Sequence, residues 1–285
     1  MNKKKGFVVL TIAAVCWGLG YVFQSIGLRY LSPLAMVCTR YVVATIALIP
    51  VAIKSISPFG KGKDIWKKCA ITGTINGIPM GLAMIFQQMG LKDTGAGKAA
   101  FLTSLYIVFT PLIGLFLKKK VQKKVWLAII IALIGSYLLC ATEGLSFGKG
   151  DLFVLLCAVM FAIQIHVLEK TGDNGYPIVH SLFTELTIAL VSFVLMVIGH
   201  QSPDRNGIIA SWLMILLAGV VAGAIADTLS VIGQRETDAS ISPIMMSLES
   251  VFGVLFGILL LHESLTVREI IGCLMILIGV IIAQI

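Results

Sequence analysis

Apolar residues fall in ten blocks, each about one membrane thickness long, separated by short polar stretches: roughly 7–28, 34–53, 69–89, 96–117, 124–142, 150–168, 178–199, 211–232, 240–261 and 267–284. An α-helix needs ~20 residues to cross a ~30 Å hydrocarbon core. The pattern therefore predicts an all-α membrane protein of ten transmembrane helices. The longest connection, Lys54 to Lys68, is a lysine-rich linker with Pro58, Gly60 and Gly62, too short for a soluble catalytic domain.

The blocks are not independent of one another. GLKDTGAGKAAFLTSLYIVFTPLIGLFL at 90–117 lies over GQRETDASISPIMMSLESVFGVLFGILL at 233–260 without a gap, and ten of the 28 positions are identical. The identities include Gly90/Gly233, Ser104/Ser247 and Gly114/Gly257, and charge signs agree at Lys92/Arg235 and Asp93/Glu236. Shared apolar bias does not easily produce matched glycines, serines and charges. The chain reads as a duplication, with a first repeat at 1–145 and a second at 146–285, five spans in each. An odd number of spans per repeat turns the second copy upside down in the bilayer, the inverted-repeat plan of secondary transporters.

Composition agrees: 58% hydrophobic and 13% charged residues, with mean hydropathy +0.99, against about 25% charged residues in soluble domains. The net charge of +8 would suggest nucleic acid in a soluble protein, but its placement gives another reading. Thirteen of the 22 Lys and Arg lie at Lys3–Lys5, between Lys54 and Lys68, and between Lys118 and Lys124. These alternate loops share one side, which the positive-inside rule makes the cytoplasm. With ten spans both termini are then cytoplasmic, in a multi-pass protein of the inner (plasma) membrane, and no nucleic-acid partner is expected. The basic, apolar start resembles a signal peptide with a lipoprotein-type Cys16, but Val15 stands where cleavage wants a small residue and the apolar run continues to Leu28. The six cysteines have no metal-like spacing and read as small apolar fillers.

CWGLGYVFQSIGLRYLSPLAMVCTRYVVATIAL, with Trp17–Gly18, Pro33 and Arg40, resembles the first two helices of the EamA family in the drug/metabolite transporter superfamily. SLESVFGVLFGILLLHESLTVREIIGCLMILIGVII, with Glu249, Glu263 and Gly272, resembles that family's ninth and tenth helices. Two departures stand out: Ser250 where many members have Pro, and Lys120 in the first copy opposite Glu263. The resemblance implies a ten-helix carrier of small metabolites that works by alternating access without an ATPase. The residues support part of this directly. Gly97–Lys98 lacks both the Gly five residues earlier and the following Ser or Thr of a phosphate-binding loop.

Arg40, Glu185, Asp227 and Glu249 sit well inside spans. Each would cost roughly 2.5–3.5 kcal/mol at a lipid-facing helix centre, so together they approach the whole stability of about 5–15 kcal/mol of a typical domain. They should face protein or a wet cavity. At 1.5 Å per residue, Arg40 lies ~10 Å below the outer edge, and Glu185, Glu249 and Asp227 lie ~10, ~13 and ~7 Å above the inner edge. The acids thus favour the cytoplasmic half and the arginine the outer half, and a direct Arg40–Glu185 salt bridge is not expected. Tyr106 mirrors Glu249 in the repeat and Trp17 falls at mid-depth, so Trp17, Tyr106 and Glu249 should border one cavity. Such a cavity suits a cation, a zwitterion or a carboxylate that loads a proton, with Glu249 the recognition or coupling group and Glu185 and Asp227 tuning it.

Blander readings stand beside these. Arg40 also suits a structural or gating residue, Asp227 an interfacial one, and His166 and His180 satisfied interface histidines. Asn76, Gln164, Gln87, Thr103 and Ser104 are candidates of second rank, because such side chains also glue helices together. Gly77–Gly81, Gly219–Gly223 and Gly253–Gly257 give the GxxxG spacing of close helix contacts. Pro79 and Pro111 should kink their helices, and their counterparts Ala222 and Val254 should not.

The leading expectation is a secondary active transporter, an exporter, of small polar metabolites such as amino acids or related amines. Its partners are that substrate, the bilayer and a coupled proton; no cofactor or metal is expected, and oligomeric state is left open. A multidrug or quaternary-ammonium carrier is the first alternative. A membrane-embedded lipid-modifying enzyme or a structural membrane protein is the alternative from another class, although no nucleophile–base constellation occurs at the membrane edges.

Overall fold

The computed structural model describes residues 3–56, 62–93, 96–140, 148–172, 175–261 and 266–284. Pro58, Gly60, Lys61 and Glu263 lie outside the described residues, as do the side chains of Lys98 and Cys140 and the expected repeat boundary at 145/146. Every regular element among the described residues is helical. The helices are α1 (Lys3–Gly27), α2 (Pro33–Ile56), α3 (Gly62–Asp93), α4 (Ala96–Ser104), α5 (Tyr106–Phe116), α6 (Lys123–Cys140), α7 (Lys149–Thr171), α8 (Pro177–Ile198), α9 (Arg205–Leu217), α10 (Thr228–Arg235), α11 (Ser242–Met246), α12 (Leu248–Leu261) and α13 (Val267–Gln284). A π-helical segment, Ala218–Asp227, joins α9 to α10 without interruption.

Among the described residues, seven helices are long and apolar enough to cross a membrane, and Phe101–Phe116 is a shorter apolar stretch. The other expected spans, the fifth and tenth, correspond to α6 and α13. Large apolar side chains line the outside of the bundle, among them Ile46, Leu259, Ile281 and Phe116, the last 88% exposed. Arg40, Asn76, Gln164, Glu185 and Asp227 are buried within it. Polar groups inside and apolar groups outside is the distribution that a lipid solvent selects, because hydrocarbon cannot hydrogen-bond.

The packing pairs come in exchanged sets. α3 packs on α7 and α8, while α9, the π segment and α10 pack on α1 and α2. α12 lies on α1 as α5 lies on α7; α2 meets α8, and α6 meets α13. Two apolar cores result, one around α2, α3 and α8 and one around α4–α6 and α11–α13 with α1.

Helix–helix contact is closest where glycine removes the side chain. A Cβ on Gly135 would lie 2.8 Å from Gly272 O and from Ile276 N, and one on Gly272 would lie 2.7 Å from Gly135 O. Gly219 faces Arg40 O in the same manner, at 2.6 Å. By contrast Gly253, expected in a packing stripe, has its nearest foreign atom at 3.9 Å; on that contact it is Gly18 of α1 that meets the α12 backbone. Gly135→Ala should therefore lower the melting temperature in detergent, through the ~1–3 kcal/mol loss of stability typical of overpacking. Gly253→Ala is the control that should change little. Equal melting temperatures for the two variants would contradict the crossing described.

Both halves break a helix within one residue of the same repeat position. Leu105, with φ −61° and ψ −13°, separates α4 from α5, and Ser247, with φ −61° and ψ −14°, separates α11 from α12. Ser104 Oγ donates to Phe101 O at 2.7 Å and Ser247 Oγ donates to Ile244 O at 2.6 Å. A hydroxyl that takes a backbone carbonyl competes with the helical ladder, and this shared pair, not a proline, accompanies the break. Pro79 lies inside the continuous α3, whereas its counterpart Ala222 lies in the π segment. The two halves thus differ in α3 and agree in the broken helix.

Candidate functional site

The two breaks deliver the first turns that follow them to the middle of the bundle. Tyr106 opens α5, Glu249 lies in the first turn of α12, and both line one cavity. A helix N-terminus favours a negative group, and helices broken at mid-membrane commonly present such ends to ligands. The cavity measures ≈ 40 Å³, room for a few waters at about 10–15 Å³ each and too little for a metabolite. Trp17, Tyr21 and Gln24 reach it from α1, Arg40 and Tyr41 from α2, and Met84 and Gln87 from α3. Phe161, Ala222 and Met246 complete the wall.

Four expected residues, Trp17, Arg40, Tyr106 and Glu249, therefore surround one space. The Tyr106 hydroxyl is buried without a hydrogen-bond partner, and its ring tilts against Phe161 at 5.8 Å between centroids. Arg40 Nη2 donates to Met84 Sδ at 3.1 Å and meets Tyr41 Oη at 3.5 Å. The guanidinium also lies over the Tyr41 ring, 4.5 Å from its centroid, a cation–π contact.

Asp227 and Glu185 stand behind this wall and do not line the cavity. Trp17 Nε1 donates to Asp227 Oδ1 at 2.8 Å and the Tyr41 hydroxyl donates to Asp227 Oδ2 at 3.4 Å. Glu185 is 0% exposed; neither of its carboxyl oxygens receives a hydrogen bond from a donor, but its carboxyl lies in hydrogen-bond contact with that of Asp227 and interacts electrostatically with Arg40. No ion pair within 4.0 Å involves Arg40 among the described residues.

Backbone depth put the arginine and the acids in opposite halves of the bundle; the structure joins them in one cluster. Side chains close the gap, since Tyr41 and Trp17 extend from their helices to Asp227. The helix carrying Asp227 also begins at Arg205, six residues before the apolar block at 211, because Asp204 caps it by accepting from Gly207 N at 2.9 Å.

Asn76 and Gln164 are interhelical ties. Gln164 Nε2 donates to Asn76 Oδ1 at 3.0 Å, and Asn76 Nδ2 donates to Thr184 Oγ1 at 3.3 Å, joining α7, α3 and α8. His166 contacts Thr110 O at 2.8 Å and Glu169 at 3.3 Å, with Lys119 pairing Glu169 on the same side. His180 contacts Thr72 at 3.2 Å. Cys16, Cys38, Cys69, Cys157 and Cys273 are free thiols. Sequence reasoning missed Tyr21, Gln24 and Tyr41. The first two were available as a stripe, since Trp17, Tyr21 and Gln24 follow helical spacing on one face of α1.

Two larger vestibules open at opposite ends of α1. One, of ≈ 670 Å³, is bordered by Lys5, Glu169, Arg235, Glu236 and Asp238. The other, of ≈ 490 Å³, is bordered by Leu28, Leu31, Gln88 and Gln201 and, among the described residues, by none that is charged. Gln88 Nε2 donates to Gln24 Oε1 at 2.9 Å, so an amide pair stands between the uncharged vestibule and the cavity.

The family model of the EamA-like transporter family matches residues 4–141 and again 148–284. An uncharacterized transporter of Archaeoglobus fulgidus is 29% identical over 96% of this chain and 84% of its own length. An uncharacterized transporter of Clostridium kluyveri is 27% identical over 98% and 93%. The uncharacterized transporter YoaV of Bacillus subtilis is 22% identical over 96% and 95%. One crystal structure superposes with a TM-score of 0.81, covering 99% of this chain and 97% of the other at 16% identity, a likeness of fold.

Proposed function

Since the chain belongs to the EamA-like transporter family, and is a multi-pass membrane transporter, we propose that it is a secondary active transporter of small zwitterionic metabolites, amino acids or close relatives. In this reading it has ten spans in two inverted repeats, both termini in the cytoplasm, and alternating access about the central cavity. The exchanged packing pairs and the matched helix breaks support two related halves. The basic loops support the orientation.

The observation that carries the substrate class is the presence of both charge signs on one cavity, Arg40 and Glu249. A guanidinium suits a carboxylate, and a carboxylate beside aromatic rings suits an ammonium group. A purely cationic drug would gain from Glu249, Trp17 and Tyr106 but would be repelled by Arg40, so the quaternary-ammonium reading ranks second. The cavity must widen to admit even a small amino acid. The charged vestibule and the amide-bridged one are the two sides from which it would open.

Thermal-shift screening of the detergent-purified protein against amino acids, simple amines and quaternary ammonium compounds, followed by counterflow in proteoliposomes, tests the class. Stabilisation and counterflow with a zwitterion, lost when its carboxylate is blocked as an amide, is the expected result. Preference for quaternary ammonium compounds over every zwitterion would overturn it.

A further inference from the structure

Behind the cavity wall the structure holds one cation, Arg40, against two acids, Glu185 and Asp227, all buried and in mutual electrostatic range. Asp227 is provided for as an anion, with Trp17 and Tyr41 both donating to it. Glu185 is not, because both of its oxygens lack a donor. Glu249, which interacts with Asp227 from the cavity side, only adds negative charge, and the other groups facing Glu185 do not change the count. Tyr41 donates to Asp227, and the α3 surface against this part of α8 offers Gly73, Asn76 and Gly77, none ionisable. His180, on the same helix, turns to Thr72 and Arg235. With both acids ionised, the cluster would carry one uncompensated negative charge in the middle of a bilayer, the arrangement that low-dielectric surroundings penalise most.

We propose that Glu185 and Asp227 form a one-proton site, shared between the two carboxyl groups behind Trp17 and Tyr41, and that this is the coupling site, distinct from the substrate carboxylate Glu249. It rests on the transport reading above and assigns the coupled ion within it. One proton makes the cluster neutral. Losing that proton to water leaves the negative charge unbalanced and changes the demand on the Trp17 and Tyr41 donors, whose side chains also line the cavity. Arg40 belongs to both places: a substrate carboxylate drawn to its guanidinium adds a negative charge, which a proton on the acid pair offsets. Substrate binding and proton binding thereby favour each other through shared residues without sharing a carboxylate. A sodium ion fits less well, because it requires several oxygens converging on one point, whereas the side chain in hydrogen-bond contact with Glu185 is the Asp227 carboxyl, an arrangement that one shared proton satisfies.

The test needs no substrate, so its failure is separate from failure of the transport reading. Infrared difference spectra of the full-length protein in lipid nanodiscs, taken between acid and alkaline buffers, report the C=O stretch of protonated carboxylic acids. Trp17 fluorescence is followed in parallel in a Trp66→Phe, Trp126→Phe, Trp212→Phe background. Wild type should show a carboxylic-acid band that titrates together with the Trp17 signal. Glu185→Gln should remove both. Asp227→Asn should also remove the band, although Glu185 remains, because Arg40 and a single carboxylate are already neutral. Glu249→Gln should keep both. If the band survives in Glu185→Gln and Asp227→Asn, or if the Trp17 signal follows sodium at constant pH, the proton site is wrong. It is equally wrong if the variants merely melt at lower temperature with the pH response intact.

Discussion

Glu249→Gln protein, reconstituted into liposomes, is expected to bind the zwitterionic substrate proposed above at least ~30-fold more weakly while remaining folded. Removing the charge from one side of a desolvated, hydrogen-bonded charge pair typically costs about 2–5 kcal/mol, or a factor of ~30 or more. The effect should be large here because Glu249 is the acid that lines the cavity, whereas Asp227 and Glu185 lie behind its wall. The fold should tolerate the change. Glu249 is only partly buried, and the amide keeps its shape. Equilibrium binding of the compound found by thermal shift, with the melting temperature of the unliganded protein, separates the outcomes. Unchanged affinity would remove Glu249 from the substrate site, and a lower melting temperature with intact affinity would make it structural.

The second large effect concerns the buried cluster. Arg40→Met should cost about 3–5 kcal/mol of stability, the usual result of removing one partner of a buried charged set. The methionine fills the stem volume but leaves Asp227 without its cation. Adding Asp227→Asn should recover a substantial part of that loss, since the double variant then holds only one acid, Glu185, which a proton neutralises. Melting temperatures of the two single variants and the double variant form a cycle. Strict additivity would show that Arg40 and Asp227 do not share an environment, against the Tyr41 bridge between them.

Much of the helical architecture could be read from residues, because lipid imposes a one-dimensional signal: a run of apolar residues long enough to cross. The positions of Trp17, Tyr106 and Glu249 followed from depth and from the repeat, both of which depend only on distance along a helix. Their neighbours did not. Which way Asp227 points is a question of rotation about the helix axis, and the ten-residue π segment ending there changes that rotation without any mark in the apolar pattern. Arg205 lay beyond the visible block because the cap at Asp204 reads as loop chemistry. Asn76 and Gln164 illustrate the limit on polar residues: a buried amide in a span signals only that it has partners, and here these are each other and Thr184. The helix breaks were hidden in plain view as Ser104 and Ser247, matched in the repeat, yet matched serines alone do not disclose that both hydroxyls take a backbone carbonyl.

The small size of the central cavity has a consequence for the membrane as a whole. A space of ≈ 40 Å³, shut from one vestibule by the Gln24–Gln88 amide bridge, does not support a continuous file of water across the bundle. Protons and ions then lack a ready water path between the described helices of this conformation. On the transport reading proposed above, a cell could then keep many copies in its membrane without draining the gradient that drives them, and leak would be confined to the brief interval in which a substrate holds the helices apart.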